Sequence, residues 1–180
     1  MDPRLLPLED RRPEDLDRHR LQLLRPHEIA ARLDERSVVY LPLGTLEYHA
    51  RHLPVGLDAL NAEGVCLRAA AARGGLVYPT LYYGTGGSHR AFPWSIMVGS
   101  GAEIGALLAY SLERLDEQGV ELAVMFTGHF APEQVALVVE VAASWNDRGH
   151  RMRALGLSVD GATGLAIAPD HAGRFETTLL

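Results

Sequence analysis

The feature that most narrows what this chain can fold into is an alternation of short apolar runs with segments of helical length. Residues 37–43, 76–83, 121–126 and 153–159 read as strands. Helices are expected at 26–33, 59–73, 101–118 and 132–145. The first run, Val38-Val39-Tyr40-Leu41-Pro42-Leu43, shows no polar alternation, which suits a strand buried on both faces of a parallel sheet. Pro26 is compatible with a first helical turn, and Gly74-Gly75 stops the helix that precedes it. Strands alternating with helices predict a three-layer α/β domain: a mostly parallel central sheet flanked by helices. Residues 26–180 read as this single domain, and residues 1–25, charged and proline-containing, as an N-terminal arm.

In open parallel sheets, ligands bind beyond the carboxyl ends of the strands. Polar residues gather at those ends here. The first run breaks at Gly44-Thr45, and Glu47, His49, His52 and Asp58 follow within a few positions. An extended Glu47–His49 segment points both side chains to one side, because strand side chains repeat every second residue. His129 follows the third run, and His89 follows the second in a glycine-rich loop. That loop has neither the spacing nor the lysine of a phosphate cradle. Glu47, His49, Asp58 and His129 supply two carboxylates and two imidazoles, a set suited to divalent transition metals. Asp58 could bridge two ions, one per oxygen; its alternative is an N-cap on the helix expected from Ala59. His171 is a candidate proton donor to a leaving nitrogen, since imidazole titrates near neutrality. Glu176 reads as a ligand, as a carboxylate holding a ligand histidine, or as a helix-end charge.

Other classes of function fall away. A net charge of −6 argues against nucleic acid or an anionic membrane as the main partner. The single cysteine, Cys66, excludes an intramolecular disulfide framework and sits in an alanine-rich helical pattern, where it reads as core. No apolar run approaches membrane-spanning length, so a soluble cytoplasmic protein is expected. No serine occupies a Gly-x-Ser-x-Gly elbow, so a serine triad has no support. His150 reads as solvated in a polar turn, and His19 and His27 carry no functional signal.

Four blocks carry a resemblance. Glu47-Tyr48-His49-Ala50-Arg51-His52-Leu53-Pro54 with Asp58 is the first, and Tyr83-Gly84 through His89 to Phe92-Pro93 the second. Thr127-Gly128-His129 is the third, and Asp170-His171-Ala172-Gly173-Arg174-Phe175-Glu176-Thr177 the fourth. In this order they resemble the creatininase (creatinine amidohydrolase) family across most of residues 37–178. The resemblance implies metal-dependent hydrolases, usually hexameric, that open cyclic amides or cleave related C–N bonds. It places Glu47, His49, Asp58 and His129 on metal-ligand positions with Asp58 as bridge, His171 on a catalytic histidine and Glu176 on a functional carboxylate. His52 matches the motif without being a ligand.

The chain departs from the pattern at three points. Ala131 stands where creatininase has a ligand glutamate, so Glu133 or Glu176 is expected to complete a second metal. Only Trp145 lies where creatininase has substrate-covering tryptophans, which argues against creatinine itself. The domain also reads as short at its C-terminus. The expected activity is hydrolysis of a small cyclic amide or related C–N bond with one or two ions of zinc, manganese or iron per chain. His89, Phe92 and His52 are expected to line the substrate pocket. The alternatives are a hydrolase of a formamide, peptide or cyclic ketone, and a shortened relative acting as a binding or assembly subunit.

Overall fold

The computed structural model describes residues 16–162 and 165–179. Helix α1 (Pro26–Glu35) leads into β1 (Val38–Leu43), and α2 (Leu57–Arg73) into β2 (Leu76–Val77). Two short strands, β3 (Gly84–Thr85) and β4 (Met97–Val98), precede α3 (Ala102–Glu117) and β5 (Leu122–Thr127). Helix α4 (Pro132–Asp147), β6 (Arg153–Ser158) and the single turn α5 (Arg174–Thr177) complete the order. The central sheet runs β2-β1-β5-β6 with every pairing parallel. Strand β1 lies inside it, in register with β5 from Val38↔Leu122 to Leu43↔Thr127. The three-layer α/β expectation holds.

One face of the sheet carries Val39, Leu41, Leu43, Ala123 and Met125 and packs against Leu108, Leu112, Val138 and Trp145 from α3 and α4. Burying a leucine fully stabilises the fold by about 1.5–3 kcal/mol relative to exposure. On the other face, Cys66, Leu67 and Ala70 of α2 meet Val77, Tyr40 and Phe126. Cys66 is core, as expected, and burial pushes its thiol pKa up to about 12. Helix α4 lies directly on β6 because residue 156 is glycine: a Cβ there would come within 2.3 Å of the Val138 carbonyl oxygen.

Several expectations need correction. The second run forms only the two-residue β2 instead of a strand over 76–83. Pro79 has no N–H to give a ladder, so the chain leaves the sheet, touches Leu43 at Leu81, and pairs again as β3 with β4. His150 is only partly solvated: its ring stacks on Trp145 at 3.6 Å, and Nδ1 lies 3.4 Å from Asp116 Oδ2. His19, assigned no role, is buried, with Nδ1 3.0 Å from the Gly75 carbonyl oxygen. The expected arm falls mostly outside the described residues; its last part meets the sheet where Arg20 bridges to Val77. Among the described residues, no helix is long and apolar enough to cross a membrane.

Candidate metal centre

The site forms where β1 and β5 end against the start of α2. Beyond β1 the chain stays extended, and burial alternates: Glu47 and His49 point inward, while Leu46 and Tyr48 are only partly covered. Helix α2 begins at Leu57 with Gly56 as its N-cap, so Asp58 is inside the first turn and does not cap it. Its side chain turns into the site instead. Two glycines permit this approach. A Cβ on Gly44 would sit 2.3 Å from the Ala59 nitrogen, and one on Gly128 would sit 2.0 Å from the Asp58 carbonyl oxygen. Gly128 thereby brings His129, the next residue, beside Asp58.

Three carboxylates and two imidazoles are buried together: Glu47, Asp58, Glu176, His49 and His129 are each no more than 5% exposed. His129 Nδ1 lies 3.0 Å from Glu47 Oε2 and 3.2 Å from Asp58 Oδ2. His49 Nε2 lies 3.0 Å from Asp58 Oδ1 and 3.6 Å from Glu176 Oε1. Ligand atoms each about 2.1 Å from one ion lie roughly 3–3.5 Å from one another, so both groups have coordination spacing. Asp58 belongs to both of these groups, with one oxygen facing each histidine, and a third set of ligand spacing joins Glu47, His49 and His171. Despite these short distances, Glu47 Oε2, His49 Nε2 and Asp58 Oδ2 make no hydrogen bond. Buried polar atoms left this way are costly in a protein interior, and a cation shared among them removes the cost. The donor set therefore fits a divalent metal.

Neighbouring groups hold this arrangement. The His49 Nδ1 lies 3.0 Å from the Glu47 backbone carbonyl oxygen, so N–H donation there leaves Nε2 as the ligating atom. Glu176 comes from the turn α5, and its Oε2 accepts the Ala172 N–H. Ala172 adopts φ +52°, the left-handed region that L-residues rarely occupy. Charge follows the same logic. Burial opposes protonation of both histidines, but the carboxylates outweigh it. Asp58 and Glu176 push the His49 pKa up to about 10. Asp58 and Glu47 do the same for His129. Burial alone would raise the Glu47 and Asp58 carboxyl pKa values; the imidazoles packed against their oxygens turn the net shift downward.

The remaining sequence-predicted residues fall around this cluster. His171 Nε2 lies 3.0 Å from the Tyr48 carbonyl oxygen, and its Nδ1 lies 3.8 Å from Glu176 Oε2. His89 places Nδ1 2.6 Å from Glu47 Oε1 and stacks on His171 with ring centroids 4.0 Å apart. Phe92 stacks on Tyr48 at 5.0 Å. His52 lies further out, with Nε2 3.4 Å from Thr177 Oγ1. Glu133 is exposed and accepts the Gly87 N–H at 3.4 Å, and it joins neither ligand group. A cleft of about 320 Å³ opens onto Glu47, His129, His171 and Glu176, with Phe130 and Pro132 on its wall. Sequence reading missed Phe130, Pro132 and the Tyr48 carbonyl, none of which carries a signal in isolation.

Comparison with known proteins bears on this geometry. A family model described as creatininase, creatinine amidohydrolase, matches residues 22–180. The creatinine amidohydrolase of Pseudomonas putida is 33% identical over 110 residues, 57% of this chain and 40% of that protein. The mycofactocin precursor peptide peptidase of Mycolicibacterium smegmatis is 28% identical over 160 residues, 79% of this chain and 56% of that protein. The chain thus spans about half the length of these relatives. A crystal structure of creatininase superposes with a TM-score of 0.75 at 27% identity, covering 89% of this chain and 70% of that one. A creatininase structure with manganese gives 0.74 at 25% identity, covering 89% and 70%.

Proposed function

Because the chain belongs to the creatininase family, we propose that it is a divalent-metal-dependent hydrolase of a small cyclic amide or related C–N bond. The observation that carries this reading is Asp58, buried and shared between two coordination-spaced groups in which Glu47 Oε2, His49 Nε2 and Asp58 Oδ2 lack hydrogen bonds. Glu47, Asp58 and His129 would hold one ion, and His49, Asp58 and Glu176 the other. Glu176 thereby takes the part left open by Ala131, and Glu133 does not. Zinc, manganese and iron all suit this mixed set.

When bound, such ions bring the pKa of water down to about 7 and polarise a carbonyl. The protein's own residues do the rest. Donation from His171 Nε2–H to the Tyr48 carbonyl fixes the ring, leaving Nδ1 to take up a proton and deliver it to the leaving nitrogen. Phe130 and Pro132 give the cleft an apolar wall beside these groups. Of the residues expected to line the substrate pocket, His89 lines this cleft, whereas Phe92 and His52 fall outside its lining and would touch only a substrate that extends beyond it. A peptide substrate is the second reading: the matched peptidase region covers 79% of this chain, and the exposed side chains of Tyr83, Phe92, Trp94 and Ile96 would support a longer ligand.

Assembly into a homo-oligomer, a hexamer on the family pattern, and a cytoplasmic setting are part of the same proposal. The test is metal content per chain by elemental mass spectrometry on protein prepared without chelator or affinity tag. Two ions per chain and turnover of a lactam, a formamide or a short peptide would establish the reading. An absence of metal, with no uptake of added zinc or manganese, would refute it.

A further inference from the structure

Glu47 is the ligand carboxylate whose second oxygen lies within hydrogen-bond distance of a side chain outside both ligand groups. Its Oε2 faces His129 Nδ1 at 3.0 Å, and its Oε1 faces His89 Nδ1 at 2.6 Å. A carboxylate with two free oxygens can chelate an ion through both. One whose Oε1 is engaged by an N–H has only Oε2 to offer. The group would then present three protein ligands, Glu47, Asp58 and His129, the number that catalytic zinc sites use while leaving one position open.

We infer that His89 is a positioning residue that keeps Glu47 monodentate and so holds one coordination position open at the ion shared by Glu47, Asp58 and His129. This rests on the metal-dependent reading above and changes the part His89 plays, from pocket lining to control of a ligand. The surroundings agree. His89 sits on a short 3-10 turn, His89–Ala91, that follows Gly86 and Gly87, both at positive φ. A Cβ on Gly87 would lie 3.7 Å from Glu47 Oε1, so this turn brings its backbone as well as the imidazole against that oxygen. On its other side the His89 ring lies against His171, with planes 14° apart. The imidazole therefore has little freedom to swing away from Glu47. Partners that orient ligating carboxylates change metal affinity or activity by about 10- to 100-fold when removed.

The test uses cobalt(II) as the only added metal, in the wild-type chain and in the His89→Ala and His89→Asn variants. Asparagine places a donor nitrogen at the position of Nδ1. Wild-type protein should show an intense visible cobalt absorption and bind azide at the open position. His89→Ala should fold, since His89 is on a partly exposed loop. It should lose band intensity as coordination number rises, and bind azide about 10-fold more weakly. His89→Asn should restore both. An Ala variant with the wild-type spectrum and azide affinity would overturn the proposal and return His89 to the substrate pocket. A wild-type chain that takes up no cobalt would instead defeat the metal reading, and this proposal with it.

Discussion

Replacing Asp58 by asparagine tests the centre most directly, because it keeps the shape and removes the charge both histidines share. The size of the effect follows from the histidines. Each is held at about 10 in place of its ordinary 6.5. At 1.36 kcal/mol per tenfold step in the proton equilibrium, that is about 5 kcal/mol of interaction per ring. Each ring has two carboxylate partners, Asp58 with Glu176 for His49 and Asp58 with Glu47 for His129. Asp58 is the first carboxylate partner of both rings, so its removal breaks a buried ion pair at each, and the usual cost of such a break is about 3–5 kcal/mol.

The pH window follows from the signs. A histidine with a raised folded pKa contributes stability that is full below about 6.5 and is lost as pH rises through about 10. Asp58, with a lowered pKa, contributes above its unfolded value of about 3.8 and loses that contribution as pH falls through its folded value. The stability gap between metal-free wild type and Asp58→Asn should therefore be widest near pH 5–6.5 and narrow steadily towards pH 10. Urea unfolding of chelator-treated protein at several pH values reads this directly, and a thermal scan near pH 6 should show a drop of roughly 6–15 °C. A gap that stays constant to pH 9.5, or no gap at all, would refute the electrostatic account.

Other outcomes follow from the same structure. Glu176→Gln should reduce the metal content from two ions per chain towards one, read by elemental analysis, because the Glu47, Asp58 and His129 group remains whole. Gly128→Ala should lower unfolding free energy by at least about 2–3 kcal/mol, since the added Cβ meets the Asp58 carbonyl oxygen at 2.0 Å. In native protein near pH 8, Cys66 should resist thiol reagents and react fully only in denaturant, because burial holds its thiol neutral. His150→Ala should cost about 1 kcal/mol in chemical denaturation through the lost stack on Trp145.

What could be read from the chain divides along a physical line. The sheet was legible because β1 and β5 are continuous apolar runs whose strand character needs no partner to be recognised. Glu47 and His49 were legible because side-chain alternation survives beyond the strand. The second strand was misread because Pro79 acts on hydrogen bonding, which hydrophobicity does not record. His150 was misread, and the burial of His19 left unread, because Trp145 and Gly75 reach them only after folding. The choice between Glu133 and Glu176 could not be made along the chain. Glu133 is near His129 in sequence but exposed, while Glu176, far from every other ligand, lies 3.6 Å from His49 Nε2. The pairing of His89 with Glu47 spans 42 residues and left no mark in either local pattern.

The spread of the two ligand groups along the chain has a consequence for how the protein comes into being. Synthesis runs from the N-terminus, and segments can begin to fold as they emerge. Glu47, Asp58 and His129 are all present once β5 and the start of α4 have left the ribosome. The His49, Asp58 and Glu176 group must wait for α5, the last helical turn described. On the two-ion proposal, the two groups would therefore assemble in a fixed order, and the metal abundant at that moment would meet the Glu47, Asp58 and His129 group first.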